Sequence, residues 1–300
     1  MPGVDPICNV DGEFVPLSAA RISAQDLGLL RGLGVFDFLR TYRLRPFQLE
    51  AHVRRLANSA RLVGIRLPGS RQRLMNICQE LCVRNAALRE LTLRLIVTAG
   101  PTRDGFWPDG TPTVAILVAP LKPYPDQLYR RGCAVITTLL SRELPEAKTT
   151  NYLSARAALV AAKKVGALEA LYVNSAGDVL EGTTSNIFAV REGVLITPRE
   201  GILSGITREC VLRLVRKNKL LEIREEPLAL TALRHADEAF LTSSNREVMP
   251  VTRIDSQPLA PPVPPAPSPS PRSVGRFGKV GPITQKVMSL FRDFTQKKGR

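Results

Sequence analysis

Histidine and aromatic residues are scarce in this 300-residue chain, and long hydrophobic runs are missing. The two histidines and five cysteines include only one close pair, Cys78 and Cys82, which lie four residues apart on a predicted helix. Two thiols are too few for a structural zinc site, which needs four ligands, so we expect no metal. The longest apolar run, VAILVAP, is far shorter than the roughly 20 residues that span a bilayer, so we expect no membrane segment.

The cysteine count and the N-terminus favour a cytoplasmic location. Five scattered cysteines are an odd number, which is typical of reduced thiols rather than of a disulfide framework. The first residues, MPGVDPICNVDGEFVP, contain no apolar core, so a secretory signal is not expected.

The net charge of +15 raises the possibility of nucleic-acid binding, but its distribution argues against that function. Residues 251–300 hold nine Lys or Arg and two Asp or Glu, so this last sixth of the chain carries +7 of the total. The remaining excess is spread thinly, and aromatic residues for a stacking platform are few. We therefore expect no nucleic-acid partner; an anionic cofactor or substrate suits the basic charge better.

The pattern of helices and strands predicts an α+β fold with two lobes. Residues 1–120 combine a hairpin at Asp11-Gly12, a strand GVFDFLRTY, two helices at about 47–65 and 70–88, and two further strands. Residues 121–132, with two prolines, form the predicted linker, and residues 133–300 form the second lobe. Its proline-rich stretch, about 257–275, is either an inserted surface loop or a recognition segment.

In the second lobe, strand CAVITTLL precedes a lysine that does not fit its surroundings. Lys148 lies in a run of Thr and Asn just before a helix predicted at about 151–165. A cation is disfavoured at a helix N-terminus, because the helix dipole is positive there. Lys148 is therefore either ordinary surface charge or an amine used in chemistry.

Four other features could belong to the same site. Arg55, on the first-lobe helix, could clamp a phosphate. Glu181 lies within the predicted strand VLEGTTSNIFAV, where a carboxylate is costly unless it is paired. The loop GILSGITREC enters a helix, so the N–H groups of Ile206 and Thr207 would point at an anion. A strand also ends in the hydroxyl donors Ser243 and Ser244.

An amine, a phosphate cradle and a buried carboxylate are together what pyridoxal 5'-phosphate requires. The amine forms an imine and moves a proton. The cradle anchors the phosphate, while the carboxylate keeps the pyridine nitrogen protonated so that the ring accepts electrons.

The order of these motifs resembles the class IV, or fold-type IV, pyridoxal-phosphate aminotransferases. This family includes branched-chain and D-amino-acid aminotransferases and aminodeoxychorismate lyases. The matching stretches, within about residues 5–257, are GVFDFLRTY, HVRRL, KTTNYL, YVNSAGDVLEGTTSNIFAVREGVLITP, GILSGITREC and TSSNREVMPVTRID. The resemblance implies a smaller N-terminal α/β lobe, a larger β-barrel-like C-terminal lobe with helices, and at least a homodimer.

The resemblance also implies a role for each matching residue. Lys148 would be the Schiff-base lysine of a ping-pong transamination between an amino acid and a 2-oxo acid. Glu181 would pair with the pyridine nitrogen, and Tyr152 would contact the phenolic oxygen or else be a core tyrosine. The phosphate would be bound by Arg55, Ile206, Thr207, Ser243 and Ser244.

The substrate stays open at this point. Phe36, in VFDF, resembles the branched-chain enzymes and favours Leu, Ile and Val. Arg103 lies in a loop where D-amino-acid enzymes carry carboxylate-binding basic residues, or it is a solvated loop charge. A branched-chain enzyme is the leading hypothesis; the alternatives are a D-amino-acid or broad-specificity aminotransferase and aminodeoxychorismate lyase.

Overall fold

The computed structural model of the protein describes residues 5–255, 257–258 and 279–298. The chain divides into two compact units. The described residues of unit 1 lie in Met1–Lys122, Glu146–Tyr152 and Thr295–Arg300, and those of unit 2 lie in Pro123–Pro145 and Leu153–Phe294. The sequence placed the Lys148 segment in the second lobe, whereas its backbone contacts group it with unit 1.

Unit 1 contains a six-stranded antiparallel sheet. Its strands and helices are β1 Ile7–Val10, β2 Glu13–Pro16, α1 Leu27–Leu30, β3 Gly34–Tyr42, β4 Arg45–Pro46, α2 Leu49–Leu62, α3 Arg71–Arg84, β5 Leu91–Thr98 and β6 Val114–Pro120. The strand order is β2-β1-β6-β5-β3-β4. The β1–β2 hairpin turns at Asp11 (φ 54°) and Gly12 (φ 100°), and this confirms the Asp-Gly prediction, since a type I′ turn needs two positive φ angles.

The core of unit 1 lies between the sheet and its two long helices. Apolar residues at helical spacing on α2, including Val53, Leu56 and Ala60, are almost fully buried. They pack in one cluster with alternate residues of β3, such as Val35 and Leu39. The residues between them, from Phe36 to Tyr42 in steps of two, therefore lie on the opposite face of the sheet.

Unit 2 is built on a ten-stranded mixed sheet. Its elements are α4 Asp126–Arg131, β7 Cys133–Leu139, α5 Leu153–Lys164, β8 Glu169–Val173, β9 Asp178–Gly182, β10 Asn186–Arg191, β11 Val194–Thr197, α6 Ile206–Lys217, β12 Glu222–Glu225, β13 Leu228–Ala229, α7 Leu230–Arg234, β14 Glu238–Ser243, β15 Glu247–Ile254 and β16 Gln257–Pro258, with α8 at Pro282–Lys298. The strand order is β12-β11-β10-β14-β15-β7-β8-β9-β13, with β16 beside β15. A buried apolar cluster lines this sheet and includes Val135, Leu171, Ile187 and Leu241.

One predicted strand is two strands, so that prediction was wrong. The stretch VLEGTTSNIFAV ends β9 at Gly182 and starts β10 at Asn186. The N–H of Gly182 donates to the carbonyl of Ser185 at 2.7 Å, which closes a turn. The hydroxyls of this turn donate to the buried carboxylate of Glu169, an interaction that hydrophobic periodicity cannot reveal.

Two further predicted segments are the linker and the proline-rich stretch. The predicted linker 121–132 contains the helix α4, so it is not an extended connection throughout. The proline-rich stretch lies outside the described residues except for 257–258. None of the helices in the described part of the chain combines the length and the hydropathy needed to cross a membrane.

Candidate active site

The segment that carries Lys148 runs alongside the first residues of β3. The N–H of Phe36 donates to the Lys148 carbonyl at 2.8 Å, and the N–H of Thr150 donates to the Gly34 carbonyl at 2.9 Å. The N–H of Lys148 itself donates to the hydroxyl of Ser59 at 3.0 Å, and Ser59 is fully buried on α2. Three hydrogen bonds of main-chain atoms therefore hold a lysine that lies outside any helix or strand.

The Lys148 side chain lies against aromatic rings. Its Nζ atom is 4.6 Å from the centroid of the Phe36 ring. The Tyr152 ring meets the same Phe36 ring edge-on, with 5.5 Å between the centroids. Lys148, Phe36 and Tyr152 therefore form one group, and the amine lies on the sheet face opposite the unit 1 core.

Arg55 is held by an aspartate that the sequence analysis did not single out. Asp37 is fully buried on β3. Its carboxylate accepts from Arg55 Nε at 2.9 Å and from Arg55 Nη2 at 2.8 Å, a bidentate arrangement. The same carboxylate lies 2.6 Å from Nδ1 of the buried His52. The His-x-x-Arg pattern thus places both side chains on one buried acid.

The charge states in this cluster follow from burial and from Arg55. Burial alone would raise the pKa of the Asp37 carboxyl, but the charge of Arg55, together with hydrogen bonds from Arg55 and His52, holds that pKa well below its usual value. Burial lowers the pKa of His52, and the nearby cations Arg55 and Lys148 lower it further, against the opposing effect of Asp37. Asp37 is therefore ionised at neutral pH, and His52 is neutral and donates Nδ1–H to it.

We expect Asp37→Asn to lower the free energy of unfolding by about 3 kcal/mol at pH 7, because it leaves the charge of Arg55 without its buried partner. A depressed carboxyl pKa stabilises the fold above about pH 4, and this contribution is lost as the pH falls further. His52, with its lowered pKa, likewise costs stability as the pH falls below about 6.5, since only the unfolded chain then binds its proton.

The measurement is urea unfolding of wild type and Asp37→Asn at a series of pH values from neutral to acid. The difference between the two proteins should be largest near neutral pH and should shrink once the pH falls below about 4. Glu80→Gln, which breaks the exposed Arg84–Glu80 pair, is the control and should change stability little. Equal stability of Asp37→Asn and wild type at neutral pH would contradict the assignment.

In unit 2, Glu181 is a buried carboxylate that accepts four hydrogen bonds. Arg142 reaches its Oε1 through Nε at 2.9 Å and through Nη2 at 2.5 Å. Its Oε2 accepts from the N–H of Leu203 at 3.0 Å and from the side-chain amide of Asn186 at 3.3 Å. These groups stabilise the ionised carboxylate, because a buried charge needs a paired cation and hydrogen bonds.

The N-terminus of α6 is not capped by a side chain. Gly205 occupies the N-cap position. A Cβ atom at Gly205 would overlap Oδ1 of Asn186, so the position admits no side chain. Ile206 and Thr207 follow as the first helical residues, and their N–H groups lack the carbonyl partners that a helix interior provides. Such a terminus favours an anion.

The end of β14 lies next to this helix terminus through Asn186. Asn186 pairs with Thr242 in the β10–β14 ladder, and Ser243 and Ser244 follow directly. Two buried atoms here, Thr242 Oγ1 and Asn245 Oδ1, have no hydrogen-bond partner among the described residues. The Thr242 hydroxyl could donate to an anion beside the uncapped helix N-terminus, which fits a phosphate-bearing group, whereas the Asn245 oxygen can only accept and would need a donor instead.

Arg103 and Arg94 differ in their surroundings. Arg103 is exposed in the loop between β5 and β6, where its backbone N–H donates to Asp109. Arg94, which the sequence analysis passed over, stands opposite Phe38 in the β3–β5 ladder. Its guanidinium carbon is 5.3 Å from the Phe36 ring centroid and 5.5 Å from that of Phe38. Arg94 and Lys148 therefore both approach the Phe36 ring.

Sequence reasoning missed Asp37, Arg142 and Arg94 because their partners are distant in sequence. The only signals were an acid flanked by apolar residues in VFDF and a basic residue inside LTLRLIV. Among the described residues, no group of three or more His, Cys, Asp and Glu side chains could hold a metal ion.

The comparison with known protein families identifies the class to which the chain belongs. The family model for amino-transferase class IV matches residues 34–254. The chain belongs to the class IV aminotransferases.

Relatives and solved structures cover nearly the whole chain. A Methanocaldococcus jannaschii protein assigned as a branched-chain-amino-acid aminotransferase is 35% identical over 97% of this chain and 96% of its own length. A D-alanine aminotransferase of Listeria monocytogenes is 31% identical over 94% of this chain and 93% of its own. The crystal structure of a branched-chain aminotransferase from Thermoproteus uzoniensis, with norvaline, has a TM-score of 0.84 at 29% identity, covering 98% of this chain and 95% of that one. The fold-type IV architecture and the transamination expected from the sequence are thereby confirmed.

Proposed function

We propose that this chain transfers the amino group of a branched-chain amino acid to a 2-oxo acid by ping-pong transamination, with pyridoxal 5'-phosphate as its cofactor. The observation that carries the proposal is the Lys148 amine beside the Phe36 ring, on a segment whose main chain two hydrogen bonds of Lys148 and one of Thr150 hold in place. Class IV aminotransferases depend on this cofactor, and one similar branched-chain amino acid aminotransferase was solved with pyridoxamine 5'-phosphate. Because the relatives are aminotransferases, the lyase alternative is not favoured.

Lys148 has two tasks in this proposal. Pyridoxal phosphate, when bound, withdraws electrons from the substrate Cα and stores the amino group between the two half-reactions. Lys148 Nζ is the group that would hold the cofactor covalently. The same Nζ, when free, would take the proton from the substrate Cα.

The remaining polar groups orient and hold the cofactor. Glu181, paired with Arg142, would hold a proton on the pyridine nitrogen. Arg55, aligned by Asp37, would bind the phosphate. Tyr152 would contact the phenolic oxygen. The other phosphate donors would be Ile206, Thr207, Ser243 and Ser244.

The substrate side chain and carboxylate would lie near the face of Phe36. The Phe36 and Phe38 rings present an apolar surface that suits Leu, Ile or Val. Arg94 is a better candidate than Arg103 for binding a carboxylate, because Arg94 lies near the same Phe36 ring as the Lys148 amine, whereas Arg103 is exposed in a loop. The D-alanine aminotransferase relative keeps a D-amino-acid substrate as the second candidate.

A panel of amino donors tests the proposal. L-Leu, L-Ile, L-Val, D-Ala and D-Glu are supplied separately with 2-oxoglutarate or pyruvate, and conversion of the cofactor to its amine form is followed by absorbance. We expect the three L-amino acids to react at least about tenfold faster than the D-amino acids, a difference of about 1.4 kcal/mol. Faster reaction with D-Ala would make this chain a D-amino-acid enzyme instead.

A homodimer also fits the surface of unit 1. Phe106 and Trp107 are 62% and 68% exposed and meet edge-on at 5.5 Å between centroids. Arg31 joins this loop to α1 through Gly105 at 3.0 Å, beside the exposed Leu29. Such a patch is typical of an interface, here with a second copy. Sedimentation equilibrium should give about twice the 32.9 kDa chain mass, and a monomer would contradict the inference.

A cytoplasmic location is part of the same proposal. The five cysteines are buried and form no disulfide. Thiols that stay reduced are typical of proteins from a reducing compartment, which supports this location.

A further inference from the structure

A second buried acid in unit 2 has no role in the chemistry described above. Glu169 is the first residue of β8, and its side chain has no solvent exposure. Its Oε2 accepts from the Thr184 hydroxyl at 2.8 Å and from the Ser185 hydroxyl at 3.2 Å, and its Oε1 accepts from the Thr183 hydroxyl. Every hydroxyl of the turn between β9 and β10 therefore donates to this one carboxylate.

The cation that balances Glu169 comes from a turn between two other strands of the sheet. Arg246, only 6% exposed, lies between β14 and β15. Its Nη1 donates to Glu169 Oε2 at 2.6 Å and to the Thr184 hydroxyl at 2.7 Å. Its guanidinium carbon lies 5.3 Å from the ring centroid of Tyr124, and its carbonyl accepts from the Tyr129 hydroxyl at 3.1 Å. The side chain is therefore fixed from several directions.

This pair joins two turns that carry proposed cofactor ligands. The first turn, 183–185, directly follows Glu181 and Gly182. There is no room beside it, because a Cβ atom at Gly182 would overlap the Ser185 hydroxyl and lie 3.0 Å from Glu169. The second turn contains Ser243, whose hydroxyl accepts from the N–H of Arg246 at 3.3 Å. A shift of Arg246 would move both turns.

We propose that Arg246 and Glu169 are positioning residues, which hold the Glu181 end of β9 and the Ser243–Ser244 turn at the spacing that the bound cofactor needs. Neither residue touches the reacting atoms. The proposal rests on the proposed function, because it assigns the two turns to cofactor binding. The alternative is that the pair has only a structural role. Many buried ion pairs contribute little or nothing to the net stability of the fold.

The two roles differ in what a charge-free replacement does. Glu169→Gln/Arg246→Met removes both charges at similar volume, and such a replacement of a buried pair is often neutral for stability. It also removes the link from Arg246 to Thr184. If the pair positions the turns, the cofactor-free double variant should unfold at the same temperature as cofactor-free wild type. It should nevertheless bind pyridoxal phosphate about tenfold more weakly. Losses of that size follow when residues that orient the ligands of a bound metal ion are removed, and we expect the same for residues that orient cofactor ligands.

Two smaller changes keep the test independent of folding. Arg246→Lys keeps a charged donor for Glu169 but not the planar group that also reaches Thr184 and lies against Tyr124, so it should bind pyridoxal phosphate more weakly than wild type and more tightly than the double variant. Thr184→Val keeps the ion pair and the hydrogen bonds of Thr183 and Ser185 to Glu169, and removes only the two hydrogen bonds of the Thr184 hydroxyl, at a half-buried residue. We expect it to weaken cofactor binding by about threefold, less than the double variant does, because the other two hydroxyls still tie the turn to Glu169.

The readouts are the dissociation constant of pyridoxal phosphate, measured by titration of the cofactor-free protein, and its unfolding temperature. With cofactor saturating, kcat of the Arg246 variants should recover to within a few-fold of wild type. Arg224→Met, which breaks the exposed Arg224–Glu222 pair, is the control and should bind the cofactor as wild type does. The proposal is overturned if the double variant and Thr184→Val both bind within twofold of wild type. If wild type itself binds no pyridoxal phosphate, the proposed function fails instead.

Discussion

Lys148→Ala should abolish transamination and covalent attachment of pyridoxal phosphate together. The change removes both the nucleophile that holds the aldehyde and the base that takes the Cα proton. Loss of the proton transfer alone costs up to about 10⁴-fold in rate, so we expect kcat to fall by at least that factor. Absorbance of the bound cofactor should shift to that of the free aldehyde. After borohydride reduction, mass spectrometry should find the cofactor on the wild-type chain only.

The backbone of this segment should survive the substitution, which makes the result interpretable. Its hydrogen bonds to Ser59, Phe36 and Gly34 use main-chain atoms, so alanine can keep them. Lys163→Ala is the matched control, since it removes an exposed lysine from α5 and should leave both activity and labelling unchanged. Full activity of Lys148→Ala, or labelling of another lysine in the wild type, would show that Lys148 is not the lysine that holds the cofactor.

Local patterns were sufficient to predict much of the architecture. The strand GVFDFLRTY coincides with β3, Gly34–Tyr42, because alternating burial and β-branched or aromatic residues are local signals. The helix around Val53 and Leu56 follows equally from its apolar spacing. The interruption of VLEGTTSNIFAV was missed, because the three hydroxyls that form the turn depend on Glu169, which precedes them by about 15 residues on another strand.

The side chains that pair with the candidate site residues were harder to predict from the sequence. Glu181 was singled out as a carboxylate that needed pairing, but Arg142 lies 39 residues before it, in a loop without regular structure. Arg55 was proposed as a phosphate ligand from its motif, whereas Asp37, its partner on β3, is 18 residues away. Such pairs depend on which strands and helices meet, and a single sequence does not specify that. The sequence therefore pointed to Glu181 and Arg55 as candidates, but it did not reveal the charged side chains that pair with them.

The second large effect is expected for Glu181→Gln. Glutamine keeps the shape of the side chain and an oxygen that can accept from the N–H of Leu203, so the loop and the cofactor should stay in place. It carries no charge, and it cannot hold a proton on a pyridine nitrogen. Removing one electrostatic group that stabilises developing charge typically costs about 10²–10³-fold, and we expect kcat to fall by that factor. The dissociation constant of the cofactor should change by only a few-fold.

Exchange of the substrate Cα hydrogen with solvent deuterium shows whether Glu181 assists removal of the Cα proton or a later step. Because the protonated ring stabilises charge at Cα, exchange should slow in Glu181→Gln by the same factor as turnover. Arg142→Gln should produce a smaller loss, since the Glu181 carboxyl group remains and loses only its hydrogen bonds from Arg142. Glu192→Gln, at an exposed ion pair on the β10–β11 turn, serves as the control. Normal exchange with slow turnover would move the role of Glu181 to a later step, and normal turnover would remove it from the reaction.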